Sequence, residues 1–345
     1  VREFFEDRYS TYIHEATPLA KVVELGGRPH IFVGRRESML LVPVESDRNF
    51  GTPIVLGCAN ALSVDVGDVN GDGHEDLVVA CREESGEGEC SWIYWGGGPS
   101  SHPDSVEGFS DLHRTLLPCD RACDIIVADL DGSGHADVII CQDRSMESFD
   151  TDSLIYRGTT EGVENVPVRL PTHDARRVFI LKTDNGPARL LFVNQYGRSR
   201  IHNSAPIYFG GPDGFSPERR LDIRADGSTD YLSCDLNDDG LPDLILANIA
   251  HDTGIMEHGS YVYINEDRGF PTEPSMVLPT TRAYGLALAD FDHNGYLDLV
   301  VSGNNVRYLT VYTGTSEGFD IENSQRIMME HDGIVYDNAL WPYLV

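Results

Sequence analysis

Oxygen-bearing side chains recur at alternate positions of a nine-residue pattern that occurs four times in the sequence. Positions 1, 3 and 5 carry Asp, Asn or Ser, position 6 is Gly and position 9 is Asp. The four copies are residues 68–76, 129–137, 235–243 and 290–298. Because alternate residues of a tight loop point to the same side, the side chains at positions 1, 3 and 5 are expected to converge.

Converging oxygens suit calcium, a hard cation that takes about six to eight oxygen ligands at roughly 2.3–2.6 Å. The glycine at position 6 permits the chain reversal, since glycine adopts positive φ without a steric cost. Position 7 would offer its backbone carbonyl, and position 9 a last carboxylate. Ser133 and Asn294 at position 5 carry no charge, which predicts weaker second and fourth sites. The predicted metal ligands are Asp68, Asn70, Asp72, His74 and Asp76; Asp129, Asp131, Ser133, His135 and Asp137; Asp235, Asn237, Asp239, Leu241 and Asp243; and Asp290, Asp292, Asn294, Tyr296 and Asp298.

A metal-free hairpin turn rich in Asp and Gly is the alternative for any single copy. Four copies in the same sequence context favour calcium over that alternative. We therefore expect up to four calcium sites whose role is structural.

The spacing of the loops predicts a repeat. Their starts are 61, 106 and 55 residues apart, and 106 is twice 53. A degenerate copy is therefore expected near residue 182. Residues 182–189 precede an apolar run there, but they lack the full set of oxygen-bearing side chains that the acidic loops carry. Residues 24–30 form a second degenerate copy. The repeating unit is about 50 residues long, which is typical of a propeller blade.

A second signature keeps the same register and divides each unit into four short strands. A strand around a tyrosine is followed by a turn and a pair made of Gly and a hydrophobic residue. With one strand before the acidic loop and one after it, each unit has the four strands of a propeller blade. No long stretch with a 3.6-residue period occurs, which argues against a helical array. The tyrosines are Tyr94, Tyr156, Tyr208, Tyr263 and Tyr312, and the pairs are Gly108-Phe109, Gly162-Val163, Gly214-Phe215, Gly269-Phe270 and Gly318-Phe319.

The predicted fold is all-β, a single β-propeller domain over residues 1–345 with six recognisable four-stranded blades and seven in total. A six-bladed propeller is the alternative, and residues 1–17 could supply a closing strand. The predicted blades are residues 18–57, 58–118, 119–171, 172–223, 224–279 and 280–330, with 331–345 as the start of a further blade or a closing strand.

The acidic motif, its period and the Tyr and Gly-Phe hairpin resemble the FG-GAP repeat family, also called VCBS repeats. The resemblance covers roughly residues 20–330. Members of that family are calcium-binding β-propellers found in integrin α-subunit heads, secreted bacterial proteins and some polysaccharide lyases. The resemblance implies the fold and the metal, but one fold carries many functions.

The amino-acid composition argues against some classes of binding partner. The chain has 56 acidic and 26 basic residues and a net charge of −30, which argues against a nucleic-acid partner. No run of 18 apolar residues occurs, so membrane insertion is not expected. An acidic surface and calcium loops suit an extracellular, periplasmic or cell-surface location, where calcium is plentiful.

Cysteine placement predicts one disulfide. Cys81 ends one strand and Cys90 starts the next across a hairpin, which suits a cross-strand bond in an oxidising compartment. The pairing among all seven cysteines stays open. The other five are Cys58, Cys119, Cys123, Cys141 and Cys234.

The loops opposite the acidic ones form the predicted ligand face. Loops between the second and third strands, and connections between blades, emerge at that end of each blade. They are rich in Arg, His and Tyr, notably in segments 173–177, 195–203 and 251–258. Loops on a rigid scaffold often carry function, so a ligand is expected here.

Three functions remain open at this point, and the sequence does not decide whether the protein is an enzyme. The first is a secreted binding module for a glycan or an extracellular protein. The second is a lyase acting on an anionic, uronate-containing polysaccharide, which needs a base, an acid and a cationic clamp. The third is integrin-like adhesion or a structural role. The lyase candidates are His202 or His251 as base, Tyr196 or Tyr231 as acid, and Arg198 or Arg282 as clamp.

Overall fold

The protein is described by a computed structural model in which every regular element is a β-strand. None of the described residues forms a helix, so none forms a helix long and apolar enough to cross a membrane. The described residues are 20–35, 37–45, 49–85, 88–97, 108–143, 148–181, 186–194, 203–249, 259–266, 269–304, 306–331 and 334–335.

The first three four-stranded sheets follow one another along the chain. The first sheet consists of β1 (Ala20–Leu25), β2 (Arg28–Gly34), β3 (Met39–Pro43) and β4 (Ile54–Leu56). The second consists of β5 (Ala61–Gly67), β6 (Asp76–Ser85), β7 (Gly88–Tyr94) and β8 (Arg114–Pro118). The third begins with β9 (Ala122–Ala128), β10 (Asp137–Gln142) and β11 (Asp150–Tyr156), is interrupted by the ribbon β12 (Gly158–Thr159) and β13 (Gly162–Val163), and ends with β14 (Val168–His173).

Three further four-stranded sheets repeat this plan. The fourth consists of β15 (Ala175–Leu181), β16 (Arg189–Asn194), β17 (Asn203–Phe209) and β18 (Arg220–Ala225). The fifth consists of β19 (Ser228–Cys234), β20 (Asp243–Asn248), β21 (Ser260–Tyr263) and β22 (Met276–Leu278). The sixth consists of β23 (Ala283–Ala289), β24 (Asp298–Gly303), β25 (Tyr308–Tyr312) and, after the ribbon β26 (Gly314–Thr315) and β27 (Gly318–Phe319), β28 (Gln325–Met328). A ribbon of β29 (Glu330–His331) and β30 (Ile334–Val335) follows.

These six sheets confirm the predicted all-β fold with a four-stranded repeating unit. Strand order follows the chain in each sheet, and every pairing whose register is described is antiparallel. The ribbon β29–β30 lies where the sequence predicts the start of a further blade. The blade boundaries proposed from the sequence remain predictions.

The chain forms two compact units, each with its own cores. Residues 1–140 with 154–167 form the first unit, and residues 141–153 with 168–345 form the second. The first unit contains one core built from the first and second sheets and another built from the second and third. The second unit contains a core of the fourth and fifth sheets and one of the fifth and sixth. Consecutive sheets of each unit therefore pack face to face.

In three of the six sheets the second strand is buried along its whole length. All residues of β10, β20 and β24 are buried, which explains why the run after each acidic loop is continuously apolar rather than alternating. These strands lie between two packed faces. The acidic loops at residues 129–137, 235–243 and 290–298 are therefore each attached to a fully buried strand.

The repeated tyrosine joins each sheet to the one before it. Its hydroxyl donates a hydrogen bond to a backbone carbonyl at or near the end of the preceding outer strand. The distance from Oη to the carbonyl oxygen is 2.9 Å for Tyr94, 2.6 Å for Tyr208 and 2.7 Å for Tyr312. Burial raises the pKa of Tyr312 to about 12, so the hydroxyl stays a donor at neutral pH. The pairs are Tyr94 with Gly57, Tyr156 with Pro118, Tyr208 with Pro171, Tyr263 with Arg224 and Tyr312 with Pro279.

The pair of Gly and a hydrophobic residue has a backbone explanation. Gly269 has φ of 98° and Gly318 has φ of 108°, a region that side chains disfavour. The residue after the glycine then turns under the hairpin, and both Phe270 and Phe319 are buried. The glycine therefore sets the turn, and the phenylalanine fixes the hairpin to the core.

We predict that Tyr208→Phe lowers the free energy of unfolding by about 1 kcal/mol, because the partly buried carbonyl of Pro171 loses its donor. Denaturant unfolding measures the change. Tyr296→Phe, on a partly exposed loop residue, is the matched control and should change stability by less than about 0.5 kcal/mol. Equal effects of the two substitutions would contradict this role for the tyrosine.

Candidate functional site

Each acidic loop joins the first strand of a sheet to its second strand. The first acidic loop (68–76) lies between β5 and β6, and the second (129–137) between β9 and β10. The third (235–243) lies between β19 and β20, and the fourth (290–298) between β23 and β24. The last residue of each loop is the first residue of the second strand, so the cage is attached to a buried strand.

Backbone amides already orient the oxygens of the loops. Asp68 accepts hydrogen bonds from the amide of Asp72 on Oδ1 at 3.1 Å and from the amide of Gly73 on Oδ2 at 2.8 Å. Asn70 Oδ1 accepts from the Asp72 amide at 3.1 Å, and Asp72 Oδ1 from the His74 amide at 2.8 Å. These turns bend successive side chains toward one point. The other three loops repeat the bonds made by position 1.

Two positions of each loop have positive φ, and sequence inspection found only one of them. The glycine at position 6 has φ between 85° and 91° in the four loops. Position 4 has φ between 58° and 76°, although it is occupied by Gly71, Gly132, Asp238 and His293. Gly favours this conformation, and Asp and His are enriched in it among the other residues. Residue type at position 4 was therefore only a partial signal.

The aspartate at position 9 anchors the loop in addition to offering a ligand. Asp76 accepts from the amide of Val69, within the loop, at 2.9 Å and from the amide of Gly96, after the third strand, at 2.9 Å. Asp243 and Asp298 make equivalent pairs of bonds. Burial raises the pKa of Asp76 to about 6 and that of Asp137 to about 6.

The donor set fits calcium. In the fourth acidic loop, carboxylate oxygens of Asp290, Asp292 and Asp298 lie within 4.8 Å of one another, as ligands of one ion do. Every loop carries three carboxylates at its predicted ligand positions, because the first and third loops have Asn at position 3, whereas the second and fourth have an uncharged residue at position 5. The charge of the predicted ligands alone therefore does not separate the four loops.

The opposite end of the fourth and fifth sheets is held by a different set of polar contacts. Amide side chains at the end of the second strand donate to a carbonyl near the start of the third. Asn194 Nδ2 lies 2.9 Å from the Ser204 carbonyl oxygen, and Asn248 Nδ2 lies 3.1 Å from that of Gly259. Each bond closes the base of the long loop between those two strands. The loop is thus carried on a fixed base.

Connections between successive sheets share a left-handed residue. Asp174, for example, has φ of 49° and precedes β15, where the register shifts between Ala175 and Arg177. A bulge at this point redirects the side chains beside it. The left-handed residues are Asn60, Arg121, Asp174, Gly227 and Arg282.

A groove of about 530 Å³ lies at this end of the second unit. His173 Nδ1 and Asp150 Oδ1 lie 2.9 Å apart in it, and Thr172 Oγ1 lies 3.0 Å from Ser153 Oγ. Sequence inspection selected His173 but not the residues of β11, although alternating Asp and Thr at a strand start was a usable signal. The groove is lined by Asp150, Thr151, Asp152, Pro171, Thr172 and His173.

Several buried salt bridges are made by residues that follow the groove residues closely in the sequence. Arg176 lies 3.2 Å from Asp143 Oδ2 and 3.2 Å from Asp174 Oδ1, and both aspartate side chains have no exposed surface. Arg177 pairs with Asp230 of β19 at 3.0 Å. The two arginines predicted for the ligand face thus hold carboxylates of the chain itself.

Comparison with known proteins agrees with this architecture. A family model described as FG-GAP-like repeat matches residues 68–140 and 235–301, which contain the four acidic loops. A solved structure described as the Dos1 propeller is 11% identical, with a TM-score of 0.53 over 93% of this chain and 72% of that chain. The fold is that of a β-propeller, and the two matched regions carry FG-GAP-like repeats. No curated protein matches it.

Two more solved structures resemble this propeller. A lectin from Agrocybe aegerita, described by its specific recognition of non-reducing terminal N-acetylglucosamine, is 14% identical, with a TM-score of 0.51 over 92% of this chain and 81% of that chain. A functionally unknown protein from Desulfotomaculum acetoxidans is 11% identical, with a TM-score of 0.50 over 92% and 90%. Identities this low show the fold alone.

Two of the six candidate lyase residues lie in the described part of the propeller. Tyr231 packs on Phe179 with ring centroids 4.2 Å apart, and burial raises its pKa to about 12. Arg282 is the left-handed residue before β23, and its carbonyl accepts the amide of Asn304 at 2.8 Å. Both residues have structural contacts. The remaining candidates, Tyr196, Arg198, His202 and His251, lie outside the described residues.

The predicted disulfide remains a prediction. Cys81 and Cys90 are both buried, and Cys81 Sγ lies 3.1 Å from the carbonyl oxygen of Cys90. The strand register pairs Cys90 with Glu83, because the register shifts between Val79 and Glu83. The two cysteines are therefore adjacent but not directly opposite across the hairpin.

The raised pKa of Asp76 predicts a pH dependence of the chelator-treated propeller. A carboxyl whose pKa rises from 3.8 to about 6 on folding stabilises the fold below pH 3.8 and loses that contribution as the pH rises through about 6. Asp76→Asn should therefore reduce the loss of stability over this range, measured by denaturant unfolding. Glu161→Gln, an exposed control, should keep the parent's pH dependence. The same loss in both variants would contradict the assignment.

Proposed function

We propose that the chain is a secreted, calcium-stabilised propeller that binds a neutral glycan at the sheet ends opposite the acidic loops. The groove of about 530 Å³ is the observation that carries the ligand part of this proposal. Calcium serves the scaffold, and the groove serves recognition. The two roles lie at opposite ends of a sheet, since antiparallel strands place successive loops at alternate ends.

The calcium role rests on oxygens that the backbone has already turned inward. The side chains at positions 1, 3, 5 and 9 and the carbonyl at position 7 would hold the ion. Three carboxylates in each loop repel one another without a cation, and the ion removes that repulsion. A chain with a net charge of −30 gains further from bound cations. Millimolar extracellular calcium would fill such sites, which supports a location outside the cell.

The glycan role rests on the chemistry of the groove. Carboxylates accept hydrogen bonds from sugar hydroxyls, threonine hydroxyls both donate and accept, and Pro171 adds an apolar surface. Carboxylates of Asp150 and Asp152 would repel a uronate, so this groove favours a neutral sugar over an anionic polymer. The resemblance to a propeller lectin supports the same ligand class.

Calcium binding is tested by two neighbouring substitutions in the third acidic loop. Asp239→Asn removes a predicted ligand charge, whereas Asp238→Asn removes the same charge one residue away, at the left-handed position 4. We expect Asp239→Asn to weaken calcium binding to one site and to reduce the calcium-induced rise in Tm. Asp238→Asn should keep both, because asparagine tolerates that backbone conformation. Calorimetric titration and thermal unfolding are the measurements. Equal loss in both variants, or no rise in Tm for the parent, would remove calcium from the proposal.

Glycan binding is tested by retention on immobilised neutral and uronate-containing polysaccharides. We expect the parent to be retained on a neutral glycan and Asp152→Ala to lose that retention. Asp222→Ala is the matched control, because both aspartates are 39% exposed and pair with an arginine. If all three proteins are retained, the glycan site does not lie in the groove.

The same panel separates the alternatives. Ultraviolet absorbance of an unsaturated product on a uronate polymer would replace the binding module with a lyase. If the protein is not retained and no product forms, the remaining alternative is binding to an extracellular protein, as in integrin-like adhesion.

A further inference from the structure

The first and second acidic loops are joined by a backbone hydrogen bond. The amide of Ala136 in the second loop donates to the carbonyl oxygen of Asp68 in the first at 2.8 Å. Both residues belong to the first compact unit. The two predicted calcium sites are therefore in direct mechanical contact.

Two glycines allow this close approach. A Cβ on Gly71 would lie 2.9 Å from ring atoms of His135, which requires either glycine or a displaced ring. A Cβ on Gly158, which follows β11, would lie 2.6 Å from the carbonyl oxygen of Val69. The first loop is thus packed against the second loop and the hairpin that follows it.

The residues in contact are those that hold the predicted ligands. Asp68 supplies the carboxylate at position 1 of the first loop. Ala136 lies between the position 7 carbonyl of His135 and the position 9 carboxylate of Asp137. Ordering one loop around an ion therefore fixes a group that the other loop must also fix.

The third and fourth acidic loops lack this connection. Their equivalent residues are Asp235 and Leu297, and no backbone hydrogen bond joins this pair within the described part of the chain. The counterpart of Gly158 is Gly314, and the three atoms nearest to a Cβ there belong to Tyr296 and Leu297 of its own loop, not to the neighbouring loop. The chain thus contains a linked pair of loops and an unlinked pair with the same ligand chemistry.

We propose that the first and second acidic loops bind calcium cooperatively, while the third and fourth bind it independently. The inference rests on the calcium role proposed above. Calcium in one loop orders the shared contact, so the neighbouring loop binds its ion with a smaller loss of conformational freedom. Coupling of this kind is reciprocal between the two sites.

Charge acts in the opposite direction. An ion in one loop weakens the negative potential at the other, but salt screens that effect beyond a Debye length of about 8 Å at physiological ionic strength. The hydrogen bond is not screened in this way. Cooperativity should therefore persist, or grow, as the salt concentration rises.

Calorimetric calcium titration of substituted full-length chains tests the proposal. Asp239→Ala with Asp292→Ala leaves the first and second loops intact, and adding Asp72→Ala or Asp131→Ala then isolates each of them. The product of the two affinities in the linked pair should exceed the product of the isolated affinities by about fivefold or more. The mirror set, starting from Asp72→Ala with Asp131→Ala, should give a ratio of about 1 for the third and fourth loops.

Single substitutions provide a second measurement if a multiply substituted chain does not fold. At a calcium concentration that just saturates the parent, Asp72→Ala should release more than one ion, because the second loop also loses part of its occupancy, and Asp239→Ala should release one. A ratio near unity in the linked pair, or one ion lost in each single variant, would overturn the coupling. Equal coupling in both pairs would show that the hydrogen bond is not its cause. No calcium uptake by the parent would instead overturn the proposed calcium role itself.

Discussion

A buried carboxylate at the ninth position of each acidic loop connects the scaffold to the site. In the first acidic loop, Asp76 accepts one amide hydrogen bond from the loop and another from the backbone after the third strand. A charge taken out of water in this way is tolerated because backbone donors replace the lost solvent. All four acidic loops make this pair of contacts. Removing the carboxylate would free both the loop and the hairpin behind it.

The two ends of each sheet carry different kinds of loop. At one end, short loops hold oxygen-bearing side chains in place through backbone amide hydrogen bonds. At the other end, amide side chains such as Asn194 and Asn248 close the base of longer loops, and a polar groove forms beside β11 and β14. Consecutive sheets are held together by apolar packing and by the tyrosine hydroxyl bonds. A rigid sheet with variable loop ends suits recognition, because the strands carry stability and leave the loops unconstrained.

Sequence alone was sufficient for the fold because the repeat multiplies weak local signals. Four acidic loops, five tyrosines and five glycine pairs indicated the four-stranded unit, and the structure adds the hydrogen bond that explains each tyrosine. The candidate site was harder to predict from the sequence. Arg176 and Arg177 looked available for a ligand, yet they pair with buried aspartates distant in sequence, which no local pattern reveals. The groove depends on the pairing of β11 with β14, and the loop contact between Asp68 and Ala136 depends on packing between sheets.

The central claim is that the acidic loops are calcium cages. Diffraction from crystals grown with calcium, with anomalous maps to identify the ion, tests it most directly. The account predicts one ion in each of the four loops, with oxygens of positions 1, 3, 5, 7 and 9 at roughly 2.3–2.6 Å. Loops that keep their amide hydrogen bonds and contain only water at saturating calcium would contradict it.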